Sequence, residues 1–275
     1  MGEDGAGATG EPGSAGAGAT GEPGPAAAGA TGEPGPAGAG ATGEPGPAAA
    51  GRYDAVIFDM DGVIVDTELV WESVRIDFAR RHGRSWGRED HPFVAQRSTR
   101  EWADSTRSRL ALDVPVEVIE RAIVEGVVDR LHRDGAPPID GAVAAVQRIA
   151  ESHRTALASS AHPEIIAATL AACGLDGTFD AVVSADDVGR GKPHPDVFLE
   201  AARRLGAAPE RCVVIEDSLN GILAARAAGM VAVLVPNPSM PPYPGAEEAA
   251  SFILERLELL DVDRLSEVAR PGGAR

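Results

Sequence analysis

YDAVIFDMDGVIVDTE (53–68) is the stretch on which the fold turns. Its first part is a short apolar run that ends abruptly in acidic residues. A run without polar alternation is the mark of a parallel strand buried on both faces. Asp59 and Asp61 stand two residues apart where that strand ends. In extended backbone such residues project to the same side, so both carboxylates can face one site. Two adjacent carboxylates repel unless a cation or a proton separates them. One reading is an acidic turn that closes a strand; the other is a nucleophile and an acid/base beside a divalent cation.

Working outward, similar apolar runs follow at 155–159 (TALAS), 181–185 (AVVSA), 212–217 (CVVIED) and 230–235 (MVAVLV). Helical patterns over 142–151, 163–172, 195–205 and 219–228 separate them, with Gly174, Gly206 and Gly229 where helix stops belong. This alternation predicts an α/β fold with a doubly wound parallel sheet. SFIL (251–254) adds an edge strand, and a last helix runs through 262–268. The stretch 68–140 breaks the pattern. It is rich in Arg and Glu and helical over 70–81, 99–110 and 116–132, which predicts a helical cap inserted directly after the first strand. The core then comprises 52–67 and 141–268, and 269–275 form a flexible C-terminus.

The N-terminal 51 residues are different in kind. They hold 17 of the 33 glycines and none of the chain's Lys, Arg, Ile, Leu, Val, Phe or Trp, so they cannot bury a core and are predicted to be disordered. ATGEPG recurs there at 8–13, 19–24, 30–35 and 41–46. That period of 11 is not a multiple of three, so a flexible linker is expected rather than a collagen helix. The net charge of −17 argues against nucleic acid or an anionic membrane as partner. No apolar run of about 18 residues exists, and neither a basic n-region nor an apolar h-region opens the chain. Cys173 and Cys212 are too few for a disulfide framework, and the histidines form no HxH or HExxH pattern. A cytoplasmic protein, monomeric or weakly dimeric, is expected.

Ligands of open α/β sheets bind beyond the carboxyl ends of the strands. Here those ends carry Asp59 and Asp61, Ser159 and Ser160, Lys192, and Glu216 and Asp217. Glu216 and Asp217 add oxygen ligands of the kind Mg²⁺ takes together with water and phosphate, although Asp217 also stands where a helix cap belongs. Ser159 is either an ordinary turn former or a donor to a phosphoryl oxygen. Lys192 is the sole lysine among 25 basic residues and sits on the rigid loop GKPHPD (191–196). Aligned with three other polar strand ends, it reads as a charge neutraliser for a phosphoryl group.

Taken in order, FDMDGVIVDTE (58–68), ALASS (156–160), GKPHPD (191–196) and VIEDSLNGI (214–222) resemble the four motifs of the haloacid dehalogenase superfamily. The insertion is similar to its C1-type cap, in the branch of phosphoglycolate phosphatases and β-phosphoglucomutases. The resemblance implies that Asp59 attacks phosphorus to give an aspartyl-phosphate, while Asp61 protonates the leaving oxygen and then activates water. It implies Mg²⁺ held by Asp59, the Asp61 main-chain carbonyl and Asp217, with Glu216 as a further ligand or behind them. Ser159, Ser160 and Lys192 would hold the phosphoryl oxygens. QRSTREW (96–102) resembles the cap loop that approaches substrate, which makes Arg100 a candidate for an anionic group.

Dehalogenases lack the second aspartate, and phosphonatases use a cap lysine that this chain does not have. β-Phosphoglucomutases usually carry a histidine where Trp71 stands. The function implied is therefore a Mg²⁺-dependent phosphatase acting on a small phosphorylated metabolite, a phosphate monoester of sugar phosphate or phosphoglycolate type. A phosphomutase and an inactive phosphate-binding scaffold are the alternatives.

Overall fold

In the computed structural model of the protein, which describes residues 53–94, 97–240 and 244–268, strand β1 (Ala55–Phe58) lies at the centre of the sheet. All four of its side chains are fully buried. Val56 and Phe58 enter the hydrophobic cluster on one face and Ala55 and Ile57 the cluster on the other, as a strand covered on both sides requires. The strands β2 (Arg154–Ser159), β3 (Ala181–Ser184), β4 (Cys212–Glu216), β5 (Val231–Leu234) and β6 (Phe252–Ile253) complete a six-stranded sheet in the order β3-β2-β1-β4-β5-β6. Every pairing is parallel. The predicted fold class is thus the observed one. The glycine- and proline-rich tail, Gln96 and residues 269–275 lie outside the described residues.

The register decides where chemistry can occur. Phe58 pairs with Leu157 on one side and Ile215 on the other, so the carboxyl ends of β2, β1 and β4 are level. The chain leaves β1 towards β2 and β3, then returns to its other side with β4, β5 and β6. That reversal opens a crevice at the strand ends, the usual ligand position in such sheets.

Between β1 and β2 come α1 (Glu68–Arg81), α2 (Thr99–Leu110), α3 (Val116–Asp134) and α4 (Ala142–Ala150). The first three form the insertion. α3 packs against α1 and α2 and reaches α5 (Pro163–Cys173) of the core, where Arg121 pairs with Glu164 at 2.9 Å. Helices α6 (Asp196–Leu205), α7 (Leu219–Ala227), α8 (Ala246–Ala249) and α9 (Val262–Val268) follow. None of the described helices is long and apolar enough to cross a membrane. A 3₁₀ turn at Arg88–Phe93 has no counterpart in the sequence reading. It is held by Asp90, which accepts from Gly87 N–H at 3.0 Å and pairs with Arg109 at 2.5 Å, a partner nineteen residues away that no local pattern announces.

Phe58 is fully buried and meets Phe179 edge to face at 6.0 Å. Its replacement in Phe58→Ala is expected to cost about 3–5 kcal/mol of stability, read as a lowered urea midpoint at unchanged m-value.

Candidate active site

Asp59 extends the ladder past β1 by donating its N–H to Ile215 O at 2.9 Å. The chain then folds back on itself: Met60 O accepts from Ile64 N (2.9 Å), and Gly62 N donates to Val65 O (2.7 Å). Gly62 has φ +83°, and a Cβ there would lie 2.0 Å from Asp217 Oδ2. Only glycine permits both that backbone and so close a carboxylate. The turn brings Asp61 back over the same cavity as Asp59. The Thr67 hydroxyl, at the start of α1, donates to Asp61 Oδ1.

Lys192 reaches into the crevice from the loop before α6. Its buried ammonium donates to Asp59 Oδ1 (2.8 Å), Glu216 Oε1 (2.6 Å) and Ala158 O (3.3 Å), which engages all three of its protons. Glu216 is fully buried, and its other oxygen accepts from Asp217 N (3.0 Å), Ser218 N (2.9 Å) and Ser218 Oγ (2.9 Å). A Cβ on Gly221 would meet the Glu216 carboxyl carbon at 1.8 Å, so this glycine makes room for the carboxylate inside the first turn of α7. Both Glu216 oxygens are committed to protein donors. The side chain thereby holds Lys192 and the entry to α7, and its oxygen still lies close enough to Asp59 and Asp217 to share a cation with them.

Carboxylate oxygens of Asp59, Glu216 and Asp217 lie within 4.8 Å of one another. One ammonium does not balance these three carboxylates, of which Asp59 and Glu216 are buried and Asp217 is half-buried. Burial, then Glu216 and Asp59, push the Asp217 carboxyl well above the usual range. Burial raises Asp59 to about 7 against the opposing pull of Lys192. Burial raises Asp61 to about 6, moderated by the Thr67 hydrogen bond. Lys192 moves the other way from most buried lysines: burial would lower it, but Asp59 and Glu216 raise it, so it stays cationic. This donor set fits a hard divalent cation, with the carboxylates of Asp59 and Asp217 as side-chain ligands.

Ser159 closes β2 with its oxygen accepting from Ala161 N–H at 3.1 Å, and Ser160 lines the same cavity. That cavity, about 190 Å³, lies between the strand ends and the helical insertion. The structure therefore brings Asp59, Asp61, Ser159, Ser160, Lys192, Glu216 and Asp217 to one place. Arg100 is not with them. It is 73% exposed and reaches Glu117 at 3.1 Å on the surface of the insertion, because the first turn of α3 sets a carboxylate beside the first turn of α2.

The insertion lines the cavity with other residues, chiefly Trp71, Arg75, Arg97 and Trp102. Trp71 and Trp102 meet edge to face at 5.7 Å. The Arg75 guanidinium lies 4.9 Å from the Trp71 ring and 5.8 Å from the Trp102 ring. Sequence reasoning missed Arg75. Its one local signal is the spacing of four from Trp71, which puts the two on one face of α1. Thr67 was likewise not singled out as a site residue.

An open parallel sheet with carboxylates and one lysine gathered at its switch point, beneath a helical insertion, defines an α/β enzyme with a buried, highly charged centre. The family model for haloacid dehalogenase-like hydrolases matches residues 53–229, and the chain belongs to that family. It is 31% identical over 216 residues to hexitol phosphatase B of Escherichia coli (strain K12), covering 77% of this chain and 94% of that protein. It is 36% identical over 184 residues to the fructose-1-phosphate phosphatase YqaB of the same strain, covering 66% of this chain and 96% of the relative. Among solved structures, CbbY from Rhodobacter sphaeroides in complex with phosphate is similar with a TM-score of 0.65 and 26% identity, over 76% of this chain and 96% of that one.

A carboxyl whose folded pKa is raised contributes stability at low pH that is lost as pH rises from the unfolded value. For Asp59 that window runs from 3.8 to about 7, with Asp61 losing its share by about 6. Without metal, the melting temperature is expected to fall between pH 5 and pH 8. Added Mg²⁺ should raise it, and more at pH 8 than at pH 5, in thermal denaturation. An equal shift at both values would show that the cation binds elsewhere.

Proposed function

We propose that this phosphoric monoester hydrolase releases phosphate from a small phosphate monoester, of sugar phosphate or phosphoglycolate type, through an aspartyl-phosphate on Asp59 and with Mg²⁺ as cofactor. The observation that carries this reading is the contact of Lys192 with Asp59 and Glu216 at the floor of the cavity. It fixes one oxygen of Asp59 and leaves the other to react.

In the first half-reaction the free oxygen of Asp59 bonds to phosphorus while the bond from phosphorus to the ester oxygen breaks. Asp61, held by Thr67 and raised to about 6 by burial, gives its proton to the departing oxygen. In the second half-reaction Asp61 takes a proton from water, the water oxygen bonds to phosphorus, and the bond to Asp59 breaks. The Ser159 hydroxyl orients a phosphoryl oxygen, and Lys192, held beside Asp59, offsets the charge on the phosphoryl oxygens, where most of the catalysis of phosphoryl transfer lies. Asp59, the Asp61 main-chain carbonyl and Asp217 would hold Mg²⁺, which when bound supplies positive charge to those oxygens. Residues 68–140 act as the cap that excludes water.

The size of the cavity supports a small substrate, and the names of both curated relatives, sugar or polyol phosphatases, support the same class. Trp71 stands in the cavity where a mutase usually carries histidine, which favours hydrolysis over phosphoryl return to substrate. The reading places the enzyme in the cytoplasm as a monomer or weak dimer.

Phosphate release across a panel of small monoesters, with Mg²⁺ and with EDTA, tests the reading. Metal-dependent release is expected. Conversion of β-glucose 1-phosphate to glucose 6-phosphate without release would make the protein a mutase, and silence in both assays a scaffold. Asp59→Asn should abolish turnover with the fold intact; retained turnover would remove the nucleophile assignment. Lys192→Arg keeps the charge but cannot place three protons on Asp59, Ala158 and Glu216, and it should lower kcat by about 100-fold or more.

A further inference from the structure

Arg75 is a charge that the fold buries without an ion pair among the described residues. The residue is 6% exposed, and its Nε is buried with no hydrogen-bond partner among the described residues. Its guanidinium lies against the edge-to-face pair of Trp71 and Trp102. The nearest acidic influence is Glu68, whose carboxylate is turned to His91 Nδ1 at 2.6 Å. A guanidinium carries five donors in a rigid fork, and burying its charge with Nε unmatched is costly. The side chain is nevertheless held in one place by Trp71 and Trp102, and it faces the cavity that contains Asp59 and Asp61. A second guanidinium, the more exposed Arg97, lines the same wall.

A planar fork packed against an aromatic pair matches one ligand chemistry best: an oxyanion that accepts two parallel hydrogen bonds. The transferred phosphoryl group is not that ligand, because Lys192, Ser159 and the strand ends receive it at the floor. We propose that Arg75 is the specificity-determining residue, and that it selects phosphate monoesters carrying a second oxyanion, a carboxylate or a further phosphate, over neutral polyol and sugar monophosphates. This rests on the hydrolase reading for the position of the first phosphate. Arg75 contacts the part of the substrate that does not react. Its energy is gained only when the second anion is present, so discrimination appears in kcat/KM between substrates.

Two measurements test it separately from catalysis. In the presence of Mg²⁺, phosphonoacetate, which carries a carboxylate, should bind the wild-type protein at least about tenfold tighter than methylphosphonate, which does not. Arg75→Met keeps the length and apolar contact of the side chain and should erase that difference. Arg75→Gln provides a second uncharged variant, and Arg75→Lys, with charge but no fork, should recover only part of the preference. Equal binding of the two phosphonates by the wild type, or a preference that persists in Arg75→Met and Arg75→Gln, would overturn the proposal.

In turnover, the ratio of kcat/KM for phosphoglycolate over glycerol phosphate, and for fructose 1,6-bisphosphate over fructose 1-phosphate, should collapse in Arg75→Met. The pair whose ratio falls further identifies the second anion as carboxylate or phosphate. If no substrate turns over while the phosphonate preference holds and depends on Arg75, the hydrolase reading falls and the anion site stands. The Met variant should melt no lower than the wild type, since it removes an unmatched buried charge. A lower melting temperature with unchanged discrimination would make Arg75 a structural tie and defeat the proposal.

Discussion

One buried ammonium ties the centre of this molecule together. The three acceptors of Lys192 come from the ends of three adjacent strands: Ala158 of β2, Asp59 after β1 and Glu216 of β4. Those groups are within reach of a single nitrogen because the parallel register holds the strand ends level. Without Lys192, Asp59 and Glu216 would face each other at close range in a medium that screens charge poorly. With it, the crevice still carries more carboxylates than one lysine can balance, and the excess is what a divalent cation and a phosphoryl group are suited to meet. Stability and chemistry thus make opposite demands on the same side chains, a common condition at active sites.

Two glycines show how far the packing has been bent to that end. Gly62 lets Asp217 press against the turn that carries Asp61, and Gly221 lets the Glu216 carboxylate sit inside the first turn of α7. A methyl group at either position would displace an acidic side chain rather than a loop. Glycines that look like spacers in DMDG and EDSLNG are therefore clearances for carboxylates. The same crowding explains why Glu216 is spent on Lys192 and on the amides of Asp217 and Ser218.

The core of the site was legible because its signals are local. An apolar run ending in two acids, a serine pair after a strand and a solitary lysine among 24 arginines each stand out within a few residues. Strand positions followed from the same runs, and the helices of the insertion from their charge pattern. Sheet order did not follow, since alternation alone does not say on which side of β1 the chain returns. Nor did the residues of the cavity roof. Arg75 is one arginine among many on a charged helix, and it matters because Trp102, from a different helix, closes on it. Arg100 drew attention by its place in a motif-like loop, but Glu117 on α3 takes its side chain. Roles that depend on which helix faces meet are invisible until the helices are packed.

Helix α1 joins these two levels. Thr67 at its start holds Asp61, and Arg75 lines the cavity two turns further on. Eight residues of helix rise by about 12 Å, a span that the helix keeps fixed whatever lies in the cavity. The floor of the site, made by strand ends, concentrates negative charge around one lysine and is suited to the group being transferred. The roof, made by the insertion, offers guanidinium and indole groups and is suited to whatever that group is attached to. Because one rigid element carries both a residue that holds Asp61 and a residue that lines the far wall of the cavity, reach becomes a selection criterion. A molecule too short to meet Arg75 gains nothing from the roof.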